Sequence, residues 1–407
     1  MLDYRETTLK NGLRVVTIRR PSRMITAVRV YVRAGSRYDG QHPGKAHCVE
    51  HMLFTGTSNR SSHQIYSDAE ALGILIQANT TKEYSSFYCV MMDRYLETGI
   101  DVLADVITNP TFDHLTLLKE KMVIMEEIMA AQDTNGVLWD LFSETLWVKN
   151  PIGRPTLGDL KSLQELEYEE VLDFYSERYT GRNMVISVCG DVDHYSVAEL
   201  ISRKFSSLPP GEELRPSPVS EPPPPKRTAH IEKDVHQTYL IAGILSASMQ
   251  DEDRYAVKLM DRILGSGGSS RLNRRLRGDE KQVYSVYSVA AMYEDTGCIA
   301  VPTACSPESV SKVEAMILEE WERLRTDPVS DRELEAAKRL YEGTLIRECE
   351  TNLYVAGISG IEALLYEIEP VSESIENIKR VTKWDIMEAA NRYLDPYRYT
   401  LVTVGRK

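Results

Sequence analysis

The chain has 407 residues, is 42% hydrophobic and carries a formal net charge of −13. This composition is typical of a globular protein of about two domains, and it excludes a largely disordered chain. An acidic chain lacks the basic surface that nucleic acid or an anionic membrane requires, so a cationic or mixed-charge substrate suits it better.

Cysteine usage and hydropathy narrow the cellular setting. The six cysteines are scattered and include no C-x-x-C pair, which argues against a disulfide framework and against a thiolate zinc site. No apolar run approaches the roughly 20 residues that span a bilayer, and the charged opening residues do not resemble a signal peptide. We expect a soluble, cytoplasmic protein that binds neither nucleic acid nor membrane.

Strands and helices are both predicted in the first half. Residues 14–18 form a strand-like run, residues 27–32 (AVRVYV) alternate at the period of a strand, and residues 87–92 are continuously apolar. Residues 115–131 and 163–175 instead carry apolar side chains at helical spacing. The pattern indicates a mixed α and β domain.

The most chemically specific segment reads H-C-V-E-H, from His47 to His51. On a helix the two histidines project from one face and can share a single zinc ion at about 2.0–2.1 Å each. Glu50 would lie beside them, where its carboxylate can take a proton from a water that such an ion activates. The order H-x-x-E-H is the inverzincin signature. The alternative is two surface histidines and a solvated glutamate.

A hydrolytic zinc site usually has three protein ligands, so one more is required. In residues 120–128, Glu120 and Glu127 are two helical turns apart and share one face. Glu126 points about 100° away from Glu127, so only one of these two neighbours can face the site. The same segment is also consistent with a solvated helix edge.

The middle of the chain is rich in proline. These prolines are concentrated between residues 208 and 228, including the run Pro222 to Pro225, and they exclude helix and central strand there. The segment therefore predicts an extended linker between an N-terminal domain of residues 1–207 and a C-terminal domain of residues 229–407.

The second half repeats the organisation of the first. Residues 238–245 are typical of a buried strand and residues 310–324 of a helix. A strand, a loop and a helix ending in Gly occur in "VRVYVRAG…KAHCVEHMLFTG" and again in "TYLIAGIL…YAVKLMDRILGSG", which indicates an internal duplication. Superposing the two helix ends places Val257, Met260 and Asp261 where the first copy has its two histidines and glutamate, so only the first half would bind metal.

The segment "LGSGGSSRLNRRLRGDEKQVYSVYS", residues 264–288, is a further signature. Its glycines and serines are typical of a flexible turn, and the G-x-x-x-x-G-K-[ST] spacing of a phosphate loop is absent.

Taken together, the motifs resemble the insulinase or pitrilysin family of inverted zinc metallopeptidases, in particular its half-length, processing-peptidase-like branch. The resemblance rests on "LKNGLRVV", "GSRYDGQHPGKAHCVEHMLFTGTSNRSSHQI", "TTKEYSSFY", "EKMVIMEEI" and the Gly/Ser-rich signature. It implies an α+β fold of two homologous domains, each an antiparallel-rich mixed sheet packed with helices, enclosing a chamber.

The resemblance also assigns roles to residues. It selects Glu127 over Glu126 as the third zinc ligand, and it places Glu120 near the metal, where it would orient the ligands. Arg277 and Tyr284 have the spacing of the pair that reaches the zinc site from the C-terminal half. A guanidinium and a tyrosine hydroxyl can hydrogen-bond substrate carbonyls and an oxyanion. The alternative for this pair is a packed tyrosine and a solvated arginine.

The chain departs from the family pattern at two places. Asp279-Glu280-Lys281 stands where relatives usually show Lys-Arg-Gly, which could change the preferred substrate charge. Gln77-Ala78, followed by Asn79, stands where relatives show Asn-Ala. That strand is expected, by resemblance, to pair its edge with an extended peptide.

The function implied is that of a zinc-dependent endopeptidase for short or unfolded peptides, with one zinc ion per chain and Glu50 as the general base. The chain is about half as long as the full-size enzymes of the family, so the resemblance implies that two chains pair, as a homodimer or as a heterodimer with a related chain. The presence of both motifs on one chain favours the homodimer. The alternatives are an inactive structural or partner subunit of the same fold, and a protease dedicated to trimming leader peptides in a peptide biosynthetic pathway.

Overall fold

The computed structural model of the protein describes residues 3–21, 24–219 and 226–406. Its strands form one sheet of six strands and one of five. The first sheet contains β1 (Asp3–Thr8), β2 (Arg14–Arg19), β3 (Ile25–Val32), β4 (Leu75–Thr80), β5 (Ser85–Met92) and β6 (Met184–Gly190). The second contains β7 (Arg227–Glu232), β8 (Thr238–Ser246), β9 (Val289–Met292), β10 (Gly297–Cys305) and β11 (Thr400–Gly405).

Helices connect and cover these strands. Those before the linker are α1 (Lys45–Leu53), α2 (Ser62–Glu70), α3 (Leu96–Thr108), α4 (His114–Ala130), α5 (Thr134–Leu146), α6 (Leu160–Glu165), α7 (Tyr168–Arg178) and α8 (His194–Lys204). Those after it are α9 (Arg254–Leu264), α10 (Val310–Thr326), α11 (Asp331–Glu348), α12 (Asn352–Leu365), α13 (Val371–Arg380) and α14 (Lys383–Tyr393). A π-helical segment covers Asn273–Asp279, and short 3₁₀ turns cover Ser36–Tyr38, Asp93–Tyr95, Pro151–Gly153, Gly181–Asn183 and Pro307–Ser309.

The two sheets share one topology. The first has the strand order β1-β2-β6-β3-β5-β4 and the second has β7-β11-β8-β10-β9. Without β1, each sheet contains its five strands in the spatial order first, fifth, second, fourth, third. The first and fifth strands pair in parallel and the remaining pairs are antiparallel. This repeated order supports the predicted duplication, and the expected mixed, antiparallel-rich α+β architecture is confirmed.

The chain divides into two compact units that exchange helices. The first unit combines residues 1–130, 154–216 and 347–371, and the second combines residues 131–153, 217–346 and 372–407. Helix α5 therefore belongs to the second unit although it precedes the linker, and α12 belongs to the first although it follows the linker. The expected boundaries at 1–207 and 229–407 differ from these units because each exchanged helix packs on the sheet of the opposite half.

The exchanged helices explain why both faces of each sheet are apolar. In the first unit one core lies under α1, α3 and α4, and a second core forms where Val355, Ala356 and Ala363 of α12 meet Tyr31 and Val185 of the sheet. In the second unit α5 plays the corresponding part, because Leu138 and Phe142 pack against Ile241, Ala300 and Val402. A sheet buried on both faces shows continuous apolar strands rather than strict alternation, as in β6, all of whose residues are buried.

Most predicted elements lie within the observed ones. The exception is the helix predicted over residues 163–175, which is broken into α6 and α7. The break occurs at Glu167, whose backbone N–H donates to the Glu170 carboxylate at 3.1 Å in a capping box. A capping box satisfies the free N–H groups of a new first turn, so the apolar spacing continues across two helices. In the predicted linker, residues 209–219 form no helix or strand, and the run Pro222 to Pro225 lies outside the described residues.

Close packing of α12 gives a test of the helix exchange. A Cβ added at Gly360 would lie 2.4 Å from Cε2 of Tyr31, which is fully buried. We expect Gly360→Ala to lower the free energy of unfolding by about 1–3 kcal/mol, because a close-packed interior does not accept the added methyl group. Gly268→Ala is the control, since no atom of the described residues lies within 4 Å of a Cβ there. Equal urea-unfolding midpoints for the two variants would contradict the packing.

Candidate metal centre

The N-terminus of α1 is fixed by a buried carboxylate. Asp39 accepts hydrogen bonds from the backbone N–H groups of Gly44 at 2.6 Å and Ala46 at 2.8 Å. These bonds satisfy N–H groups that the first turn of a helix leaves free. Burial raises the pKa of Asp39 to about 7, although both hydrogen bonds act in the opposite direction. The cap determines where α1 starts and therefore where its side chains emerge.

Two imidazoles of α1 and one carboxylate of α4 converge on a single point. Nε2 of His47 and Nε2 of His51 are 3.2 Å apart. Oε2 of Glu127 lies 3.6 Å from the first nitrogen and 3.4 Å from the second. Ligand atoms bound at about 2.0–2.1 Å to a tetrahedral zinc ion are separated by about 3.3–3.4 Å. The triangle of donor atoms therefore has the dimensions of one face of such a site, and two imidazoles with a carboxylate form a known zinc ligand set.

The protonation of His47 is consistent with metal binding, whereas the carboxylates around His51 act in the opposite direction. Burial, and then the neighbouring His51, lower the pKa of His47 to about 4, so its ring is neutral at pH 7. Burial also acts to lower the pKa of His51, but the hydrogen bond to Glu120 and the charges of Glu127 and Glu50 raise it overall. A neutral imidazole offers the lone pair that a metal requires. Nδ1 of His47 is buried without a hydrogen-bond partner among the described residues.

Helix α4 supplies two carboxylates from one face, as its spacing predicted. Ile124 and Ile128 of α4 are buried in the core that also contains Val49 of α1. The neighbouring Glu127 is about half-buried and faces the imidazoles, whereas Oε2 of Glu120 lies 3.3 Å from Nδ1 of His51. A carboxylate on the second ring nitrogen fixes the tautomer and orientation of a metal-binding histidine. No hydrogen bond or ion pair links Glu126 to these groups in the described part of the chain.

Glu50 lies between the imidazoles and the adjacent sheet. Its Oε2 accepts a hydrogen bond from the hydroxyl of Thr80, the last residue of β4. Burial raises the pKa of Glu50, while the Thr80 hydrogen bond and the charge of His51 act to lower it. Sequence reasoning missed Thr80 and Asp39, because neither belongs to a motif with metal-binding or acid–base chemistry of its own.

A cavity of about 510 Å³ adjoins these groups. Its lining includes Glu50, His51 and Glu120, together with Gln77 and Ala78 of β4. Strand β4 stands at the end of its sheet, so in the described structure one of its edges has no strand partner. Asn79 is not among the lining residues, and its Oδ1 accepts a hydrogen bond from Ser86 at 2.6 Å.

Arg277 and Tyr284 lie in the second unit and approach each other. The guanidinium carbon of Arg277 is 5.8 Å from the centre of the Tyr284 ring. Arg277 is exposed and so is Tyr284, at 82% of its surface. Their loop includes the departure at residues 279–281, where Glu280 pairs with Lys312 at 2.9 Å. Both side chains are available to a ligand.

The second unit has no counterpart of the metal ligands at the positions that the duplication predicts. Val257 and Met260 of α9 are fully buried in its core. The carboxylate of Asp261 accepts a hydrogen bond from Ser288 at 2.6 Å. Among the described residues, the one group of side chains suited to a metal ion is that formed by His47, His51 and Glu127.

Two family models match the chain in succession. Residues 14–160 match insulinase, peptidase family M16, and residues 165–341 match the domain described as the peptidase M16 inactive domain. The chain belongs to peptidase family M16, so the resemblance predicted from the motifs is confirmed.

Relatives named as zinc proteases match over nearly their whole length. An uncharacterized zinc protease of Mycobacterium leprae is 31% identical over 412 residues, which cover 98% of this chain and 91% of the relative. The uncharacterized zinc protease YmxG of Bacillus subtilis is 29% identical over 379 residues, which cover 92% of this chain and 91% of the relative. The half-length size is thus shared with these relatives.

Solved structures share the fold. The crystal structure of a protease from Helicobacter pylori has a TM-score of 0.93 at 23% identity and covers 99% of this chain and 100% of its own. A structure of the peptidase M16 inactive domain from Pseudomonas fluorescens also has a TM-score of 0.93, at 22% identity, and covers 100% of this chain and 99% of its own.

Within the described residues, no helix combines the length and the apolar character needed to cross a membrane.

The neighbouring glutamates of α4 provide a matched pair for testing the third ligand. We expect Glu127→Gln to weaken zinc binding by more than about 10-fold. Removing even a residue that only hydrogen-bonds to a metal ligand typically lowers metal affinity by about 10-fold or more. Glu126→Gln should leave zinc affinity unchanged. Competition with a chromophoric chelator measures both. Equal affinities would remove Glu127 from the ligand set.

Proposed function

We propose that the protein is a zinc-dependent endopeptidase that cleaves short or unfolded peptides. The observation that carries the proposal is the triangle of His47 Nε2, His51 Nε2 and Glu127 Oε2, with the carboxylate of Glu50 on the same helix. Membership of family M16 and relatives named as zinc proteases support the same class of chemistry. The three donors would hold the metal, and Glu120 would keep the ring of His51 in place.

Different residues of the chain would bind the metal and transfer the proton during peptide hydrolysis. His47, His51 and Glu127 would hold a zinc ion, which would supply a Lewis acid for the scissile carbonyl and would lower the pKa of a water at the site. Glu50 takes a proton from that water and later gives it to the departing amine. Its neighbourhood suits this role, because burial raises the pKa of the Glu50 carboxylate and so helps it to hold the proton before passing it on.

Recognition of the peptide falls to groups around the cavity and in the second unit. An extended peptide can add to the unpaired edge of β4, where backbone groups near Gln77 and Ala78 supply hydrogen bonds without reading sequence. We assign Arg277 and Tyr284 to binding the substrate backbone and stabilising the oxyanion. Main-chain recognition favours unfolded segments, because a folded substrate has its backbone groups already paired.

An inactive partner subunit is the second candidate function. The description of the C-terminal family model as an inactive domain favours it. That model includes Val257 and Asp261, which stand at the positions of the two histidines, and Met260, which stands at that of Glu50, so an inactive second half is compatible with a catalytic first half. We further propose that two identical chains pair and that the protein acts in the cytoplasm.

Metal content and cleavage measured together test the proposal. We expect the purified protein to hold about one zinc ion per chain, and a chelator to abolish cleavage of an unfolded peptide, because the ligands lose the metal to a stronger competitor. Added zinc should restore the rate. Cleavage that a chelator leaves untouched, in protein with less than about half an equivalent of metal, would exclude a zinc peptidase.

Replacement of the general base separates catalysis from metal binding. We expect Glu50→Gln to retain zinc and to lose at least about 100-fold in kcat, since the amide cannot accept the proton of water. Glu126→Gln, which changes an exposed carboxylate on α4, should cleave at the parent rate. The inactive-subunit function would instead predict no measurable difference between parent and Glu50→Gln.

A further inference from the structure

Thr80 contacts the general base from the sheet. It is the last residue of strand β4 and lies directly opposite Ser85 of β5 in the antiparallel register. Its Oγ1 donates to Oε2 of Glu50 and lies 3.0 Å from Oγ of Ser85. Among the described residues, Thr80 is the one group that donates a hydrogen bond to the Glu50 carboxylate, and Oε1 accepts none.

Counting protons gives the direction of these hydrogen bonds. An ionised carboxylate only accepts, so the single proton of the Thr80 hydroxyl is committed to Glu50. The proton of Ser85 can go to Thr80 Oγ1, or to the backbone carbonyl of Ala34 at 2.8 Å. Thr80 therefore acts as a donor to the base, and its Oγ1 is left able to accept from Ser85 only when the Ser85 proton is not given to Ala34.

The turn after Thr80 is held rigidly. Thr81 and Lys82 accept hydrogen bonds through their carbonyls from the N–H groups of Ser36 and Arg37, both at 2.9 Å. Nη1 of Arg37 and Oε1 of Glu83 form an ion pair of 2.8 Å in which both side chains are almost completely buried. A group intended to fix another side chain is effective when its own position is determined in this way.

We propose that Thr80 is a positioning residue that anchors Oε2 of Glu50 and thereby directs Oε1 toward the attacking water. A glutamate side chain otherwise samples several rotamers, and a displacement of about 1 Å in a catalytic group can cost about 100-fold in rate. This inference rests on the proposed peptidase function. It assigns a role to the sheet, which orients the base, in addition to the helix that carries it.

Three variants test the role of the hydroxyl. Thr80→Val keeps the shape and removes the donor, Thr80→Ser keeps the donor, and Thr80→Ala removes the donor with a smaller side chain. Thr108→Val is the matched control, because Thr108 donates to the carbonyl of Ala104 within α3 at 2.7 Å and does not contact Glu50. Each zinc-loaded variant is assayed for kcat, KM and zinc content, and its crystal structure is determined.

We expect Thr80→Val and Thr80→Ala to lower kcat by about 10- to 100-fold, with KM and zinc content unchanged. Thr80→Ser should restore the rate, and Thr108→Val should cleave as the parent does. In the crystals, Glu50 should keep one conformation in the parent and in Thr80→Ser, and should move or become multiple in Thr80→Val.

The structural readout keeps this test independent of the proposed function. An unchanged Glu50 conformation in Thr80→Val would overturn the inference whatever the activity, and so would a Thr80→Ser variant as slow as Thr80→Val. A parent enzyme that does not cleave peptides would refute the proposed function, while a displaced Glu50 carboxylate would still support the anchoring by Thr80.

Discussion

The packing of α1 against α4 is the contact on which the candidate site depends. Three donor atoms from two helices meet within the span of one metal ion because Val49 of α1 and Ile124 and Ile128 of α4 share one core. Apolar burial gives that contact its free energy. That contact also brings together the polar edges of the same helices, although burial opposes the charged forms of His47 and Glu50.

The exchange of helices gives the fold its second constraint. Each sheet is buried on one face by helices of its own half and on the other by a helix from the opposite half. A sheet with one bare apolar face would aggregate or open. Here α12 and α5 cover those faces, so the first and the second copy each depend on a segment that is distant in the chain.

The comparison of the two copies separates scaffold from chemistry. Apart from β1, both have the same order of five strands, and a helix follows the second of these five, β3 in one copy and β8 in the other. In one copy that helix carries two imidazoles and a glutamate, and in the other the corresponding positions hold Val257 and Met260 in an apolar core, with Asp261 accepting a hydrogen bond from Ser288. A common scaffold therefore tolerates either a hydrophobic core or a metal-binding edge at these positions, and function follows from the side chains rather than from the fold.

The sequence alone determined what is periodic or local: several of the strands and helices, the duplication, the inverted motif and the face shared by Glu120 and Glu127. These follow from spacing along one chain, which fixes relative direction on a helix or a strand. The choice of Glu127 over Glu126 came from family resemblance. Helical spacing shows only that the two glutamates cannot both face the metal, and it does not say which of them does. Only the tertiary structure decided the helix exchange, the Asp39 cap and the Thr80 contact with Glu50. The exchange and the Thr80 contact arise from packing between elements, which leaves no periodic mark in the sequence. The Asp39 cap is local, but it lies in a loop that has no periodic pattern.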